Sequence, residues 1–155
     1  MKALILVRHA DAIENHKGDT IYDFYRKITM DGKQEVKQLI KELEELELIP
    51  DRIISSSSRR TYQTTMAIGR WLGVSGKSIV FTSDIYMSDY QSYLDEIYAT
   101  QDDIDILMIV WHNPGISDLF NYLNQDKTLF HTWQKSIIRY STSKRSDINK
   151  TNQIV

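Results

Sequence analysis

The 155-residue sequence contains no cysteine. Disulfides, thiol nucleophiles and thiolate-held metals are therefore excluded, and a reducing compartment is compatible with the chain. Proline occurs only twice, at Pro50 and Pro114, and neither marks a linker or a repeat. There is no basic excess: the formal net charge is -2, without a polybasic run. That composition argues against a nucleic-acid or anionic-membrane partner. The four Phe, nine Tyr and three Trp are scattered, without the stacked aromatic platform that single-stranded nucleic acid needs. No apolar run approaches the roughly 18 residues of a membrane span, and the first is too short for a signal-peptide core. These absences lead us to expect a cytoplasmic protein forming one domain over residues 1–155.

What is present is an ordinary globular composition, 41% apolar and 26% charged. Buried strands are expected at Lys2–Val7, Asp51–Ser55 and Asp105–Trp111, with weaker ones at Ser78–Thr82 and Ser136–Tyr140. The first and third lack polar alternation, as strands covered on both faces do. Helical spacing of Val36, Leu39, Ile40, Leu43 and Leu46 predicts a helix capped by Thr29 and stopped by Pro50. Further helices are expected from Arg60 to Leu72 with Gly73 as its C-terminal cap, from Asp89 to Tyr98 and from Gly115 to Leu123. Strands alternating with helices predict an α/β sandwich with a largely parallel sheet. From Lys144 onward the tail is polar and is expected to fray.

In open α/β sheets, ligands bind beyond the carboxyl ends of the strands. The first strand ends in Arg8-His9. The second ends in ISSSSRRTYQT, which puts Arg59 and Arg60 at a strand-to-helix turn. The third ends in WHNPG, which puts His112 and Asn113 before a helix. If these strands are neighbours, two imidazoles and at least two guanidiniums share one crevice. Arginine offers a fixed fork of donors for phosphate oxygens. An unprotonated imidazole can attack phosphorus, provided that its other nitrogen is held by an acceptor such as a backbone carbonyl. The second histidine is expected to be protonated and to donate to the phosphoryl oxygens. Singly, each motif reads as an ordinary turn; jointly, at three strand ends, they point to a phosphate site.

The stretches LVRHADA, DFYRKITMDG, SSSSRRTYQT and WHNPGISDL together resemble the histidine phosphatase superfamily, which has the phosphoglycerate mutase-like fold. Within it they most resemble the small SixA-type phosphohistidine phosphatases. The resemblance implies a three-layer αβα sandwich around a mixed sheet. It implies that His9 is the phosphorylated nucleophile, that Arg8 and Arg60 bind phosphate, and that His112 is the second histidine, with Asn113 beside the substrate. It implies no metal and no organic cofactor. A phosphate or sulfate anion would fit the pocket. Three features depart from the family pattern: Trp111 where glycine is usual, Ser56-Ser57-Ser58 where relatives commonly have Ser-Ser-Pro, and a loosely matching C-terminal region.

Larger relatives supply a general acid between the second arginine and the second histidine. Asp84 is the candidate at a comparable place here, with Asp11 an alternative near His9; a helix-cap or solvated role is the plainer reading of Asp84. A phosphohistidine substrate asks less of such an acid, because imidazole titrates near 6.5 and leaves readily once protonated. Only about 50 residues separate Arg60 from His112, which leaves no insertion for a cap over a small metabolite. A phosphohistidine-bearing protein is therefore the expected partner. A small phosphate ester, a non-catalytic phosphate-binding module and a metal hydrolase built on His9, Asp11 and His112 are the alternatives. Arg26 is expected to form a structural salt bridge, and His16 and His131 to face solvent.

Overall fold

The apolar strands pair into one sheet because their unbroken hydrophobic runs can be buried on both faces. The computed structural model describes residues 2–16, 18–86, 88–124, 135–148 and 153–154. Its strands are β1 (Lys2–Arg8), β2 (Arg52–Ser56), β3 (Ile79–Thr82), β4 (Ile106–Trp111), β5 (Lys135–Tyr140) and β6 (Gln153–Ile154). They form one sheet in the order β3-β2-β4-β1-β5-β6. β3, β2, β4 and β1 run parallel, whereas β5 is antiparallel to both β1 and β6. The helices are α1 (Thr20–Phe24), α2 (Met30–Glu45), α3 (Arg59–Trp71), α4 (Tyr90–Ala99) and α5 (Gly115–Asn124).

Alternation along β1 divides the core into two layers. Ile5 and Val7 pack with Val36, Leu39, Ile40 and Leu43 of α2 and Ile68 of α3. Leu4 and Leu6 pack on the other face with Tyr93, Leu94 and Ile97 of α4 and Ile116, Leu119 and Leu123 of α5. This is the expected three-layer αβα sandwich around a mixed sheet. Trp111 belongs to the second layer, fully buried at the end of β4 beside Tyr93. The ring that replaces the usual glycine thus fills core and does not narrow the crevice.

Two local expectations need correction. Thr29 does cap α2, its hydroxyl accepting from the Gly32 N–H at 3.0 Å, but the helix ends at Glu45, well before Pro50. Glu47 takes a left-handed φ of 54° and Leu48 N–H bonds back to the Leu43 carbonyl, so the chain turns without needing the proline. The start of the tail is not frayed: Arg145 is fully buried and donates to the carbonyls of Ile104 and Asp105 at 2.9 and 3.0 Å. The short helix α1 has no buried residue, hence no periodic signal to read. At the C-terminal end of α3, Gly73 has the left-handed φ (69°) that its expected place just past the helix requires.

Candidate active site

The parallel register of β1 and β4 sets Arg8 opposite Trp111. His9 N–H then bonds to the Trp111 carbonyl at 2.8 Å, so His9 and His112 leave the sheet side by side. Their rings lie 5.2 Å apart, centroid to centroid. β2 pairs with β4 on its other edge, and α3 begins three residues after β2. Arg60, in the first turn of α3, thereby reaches the same crevice. Its Nε donates to His9 Nε2 at 3.2 Å.

Two bonds fix the His9 ring. Nδ1 stands 2.7 Å from the Ala10 carbonyl, which can only accept, so Nδ1 carries the proton. Nε2 is then the lone-pair nitrogen, as its acceptance from Arg60 also requires. Burial is the largest influence on this imidazole. Against the opposing Ala10 bond, burial and the charges of Arg60, Arg8 and Arg26 lower its pKa from 6.5 to about 3. A neutral ring with a directed lone pair on Nε2 is the form a nucleophile requires.

His112 departs from expectation. Burial, followed by the charges of Arg60, the His9 ring, Arg26 and Arg8, pushes its pKa well below 6.5. The fold alone thus favours the neutral ring, which offers a single N–H. Its Nε2 lies 3.0 Å from Ser56 Oγ and 3.3 Å from Ser58 Oγ. Thr61 Oγ donates in turn to the Ser56 carbonyl at 2.6 Å. The serine run that departs from the family pattern thus holds the second histidine.

The cleft has a volume of about 330 Å³ and is lined by Arg8, His9, Asn15, Gly18, Thr20, Asp23, Arg26, Arg60, His112 and Asn113. Four of the predicted groups, Arg8, His9, Arg60 and His112, are brought together with Asn113. Asp84 is not: it is exposed in the turn after β3, its N–H bonded to Thr82 Oγ1, and does not line the cleft. Asp11 is also outside the cleft, accepting from the Thr29 hydroxyl at the start of α2. The His9, Asp11, His112 set of a metal hydrolase is therefore not assembled. His16 is exposed, and His131 falls outside the described residues.

Two further contributors lie in the DFYRKITMDG stretch, where the sequence assigns neither to the site. Asp23, in α1, accepts from Arg60 through its carboxylate at 3.0 Å and through its carbonyl at 2.6 Å. It also pairs with Arg26 at 2.9 Å and accepts from the Tyr86 hydroxyl at 2.7 Å. Arg26 makes the expected structural ion pair but also faces the cleft. Burial works to raise the Asp23 pKa; the Tyr86 bond and the charges of Arg60 and Arg26 outweigh it and hold it below the usual carboxylate value. Three guanidiniums against this one carboxylate give the cleft a net charge of +2. Burial and mutual repulsion lower the Arg8 pKa, a cost that an anion bound between the arginines would relieve.

The model for the histidine phosphatase superfamily (branch 1) matches residues 4–105, about two thirds of the chain. The chain belongs to that superfamily. SixA of Agrobacterium tumefaciens, assigned as a phosphohistidine phosphatase, is 26% identical; the match covers 90% of this chain and 92% of SixA, with a TM-score of 0.80. A SixA protein histidine phosphatase complexed with tungstate has a TM-score of 0.78 at 18% identity, covering 97% and 90% of the two chains. A mycobacterial glucosyl-3-phosphoglycerate phosphatase shares the fold at 12% identity, with a TM-score of 0.71 and coverage of 96% and 95%. A search of curated proteins finds no match. The superfamily is one of phosphatases, and the fold of this chain is the one it shares with these structures.

The histidine shifts set a pH dependence of stability. An unfolded His9 binds a proton near pH 6.5, whereas the folded one resists until about 3. Below 6.5 the unfolded state holds more protons, so stability falls as pH drops from 6.5 toward 3 and is flat on this account above 6.5. Melting temperatures across pH 4 to 8 are expected to show this slope, and His9→Asn to make it shallower.

Proposed function

We propose that this protein is a metal-independent phosphohistidine phosphatase working through a covalent phosphohistidine on His9. The observation that carries the reading is a neutral, tautomer-fixed His9 at the floor of a cleft with a net charge of +2. Arg8 and Arg60 grip the phosphoryl oxygens, and the Arg60 Nε–H that rests on His9 Nε2 turns to the incoming anion. The lone pair on His9 Nε2 then forms a bond to phosphorus as the phosphorus–nitrogen bond of the substrate breaks. The departing imidazole keeps the electron pair and takes a proton from solvent. Water next attacks phosphorus, the bond to Nε2 breaks, and inorganic phosphate leaves with the imidazole of His9 restored. His112 and Asn113 contribute donors to the same oxygens.

The preference for a phosphoramidate over an ester rests on the acid. Among the described residues lining the cleft, Asp23 is the carboxyl group, and its neighbours keep it ionised. An alkoxide leaving group would receive no proton from it, whereas an imidazole needs little help. The similarity to SixA proteins points the same way. Turnover of phosphoramidate and of a phosphohistidine peptide is expected to exceed that of sugar phosphates by about 100-fold in kcat/KM, the typical worth of a missing general acid. Equal rates on both classes would favour a general phosphomonoesterase. Tight phosphate binding without turnover would favour a binding module.

A further inference from the structure

The backbone that follows His9 is tied down from two helices. Ala10 N–H donates to Thr64 Oγ1 of α3 at 3.2 Å. Asp11 N–H donates to a carboxylate oxygen of Glu35, in α2, at 2.7 Å. Thr29 closes the same corner: its N–H bonds to the Asp11 carbonyl at 2.9 Å and its hydroxyl to the Asp11 carboxylate at 2.5 Å. The start of α2 comes so near that a Cβ on Gly32 would collide with the Asp11 carbonyl oxygen. Neither Glu35, Thr29 nor Thr64 lines the cleft.

One of these bonds leads to the proposed nucleophile. The N–H of Asp11 and the carbonyl of Ala10 belong to a single trans peptide unit. Such a unit is planar and points the two groups in opposite directions. The Glu35 carboxylate therefore grips one end while the other end accepts the His9 Nδ1–H, with 2.7 Å on each side. Fixing the N–H end fixes the direction of the carbonyl. A charged acceptor also polarises the peptide and makes its carbonyl a stronger acceptor in turn. The Thr64 bond holds the preceding peptide, whose carbonyl is that of His9, and is outside this link.

We infer that Glu35 is a positioning residue for His9, holding the Ala10–Asp11 peptide so that its carbonyl keeps the proton on Nδ1 and leaves the lone pair on Nε2. The inference rests on the nucleophile reading above and extends it to a residue outside the cleft. As Nε2 bonds to phosphorus, positive charge spreads over the ring, and Nδ1–H leans harder on its acceptor. A carboxylate behind that acceptor stabilises the charge most while the bond is forming. Its effect therefore belongs to kcat and not to phosphoryl binding. The buried acid of a serine-hydrolase triad does this by touching its histidine; Glu35 does it through an intervening peptide.

The test joins kinetics with phosphoramidate to NMR of protein carrying ¹⁵N-labelled histidine, for wild type, Glu35→Ala and Glu35→Gln. Glu35→Asp, which withdraws the carboxylate by one methylene, takes the place of the alanine variant if that fails to fold. In Glu35→Ala, kcat is expected to fall about tenfold or more, while KM and the Kd for inorganic phosphate stay within about twofold. The His9 Nδ1–H proton resonance is expected to move upfield as its acceptor weakens. Glu35→Gln keeps an acceptor for the Asp11 N–H without the charge, and should return kcat to within about threefold of wild type. Wild-type kcat and an unmoved Nδ1–H resonance in Glu35→Ala overturn the positioning role and leave the hydrolase reading standing. So does a loss that falls equally on phosphate binding and is not recovered by glutamine, since that is general disruption. A wild type inert toward phosphoramidate, with the resonance still moving in Glu35→Ala, supports the hold on His9 and removes the hydrolase reading. An inert wild type with an unmoved resonance overturns both.

Discussion

Replacing His9 with Ala is expected to cut turnover of phosphoramidate by about 10⁴-fold or more, the scale on which loss of a nucleophile is felt. The loss falls on kcat, because Arg8, Arg60 and His112 remain to bind the phosphoryl group. Inorganic phosphate should still bind the variant. The protein should also fold, since an alanine replaces an imidazole whose desolvation is unfavourable to its charged form. His9→Gln is a sharper control: it keeps volume and a hydrogen-bonding group but has no lone pair able to form the phosphorus–nitrogen bond. Single-turnover assays of purified wild type and variants decide the point. Variants retaining a tenth of wild-type activity would mean that water attacks phosphorus directly.

The second large effect is expected at Arg60. Its guanidinium touches the proposed nucleophile, the Asp23 carboxylate and the Asp23 carbonyl at once. Arg60→Ala removes a phosphoryl donor and the bond that marks Nε2 as the acceptor nitrogen. It also leaves the Asp23 carboxylate with Arg26 and Tyr86 as its remaining partners. A loss of about 10³-fold in kcat/KM follows from comparable losses of preorganised charge donors. Breaking the mostly buried ion pair adds a stability cost of about 2 kcal/mol, below the full figure for a buried pair because Asp23 is partly exposed and keeps other partners. Arg60→Lys should recover stability more than activity, because an ammonium cannot make the three contacts of the fork. Arg59, which precedes it on the exposed side of the helix, should tolerate alanine with little change in rate. Equal effects at Arg59 and Arg60 would contradict the assignment of Arg60 to the site.

The parts of this protein legible in its sequence are those fixed by periodicity and by strand ends. β1 and β4 read as buried on both faces because their hydrophobic runs have no polar alternation, and the two core layers on either side of the sheet bear that out. Arg8, His9, Arg60 and His112 could be found because each stands where a parallel strand hands over to a turn. Asp23 could not. It lies in a five-residue helix without a buried face, and its bond to Arg60 spans 37 positions of sequence. Ser56 and Ser58 read as a polar turn, because only the β2–β4 pairing reveals that their hydroxyls face His112. Asp84 qualifies only by its place between two motifs, a criterion blind to which way a loop residue points. The pull on His112 is hidden for a related reason: residue type gives an ordinary pKa, whereas burial among three arginines is a property of the fold.

A covalent intermediate is the feature on which the proposed chemistry stands. Mixing the protein with phosphoramidate, quenching in base within milliseconds to seconds and digesting for mass spectrometry reads it directly, because a phosphorus–nitrogen bond survives alkali. The predicted result is a single phosphate on the peptide carrying His9, appearing before the steady state and absent in His9→Ala. Steady turnover with that peptide unmodified at every quench time, or with the label on His112, would contradict it.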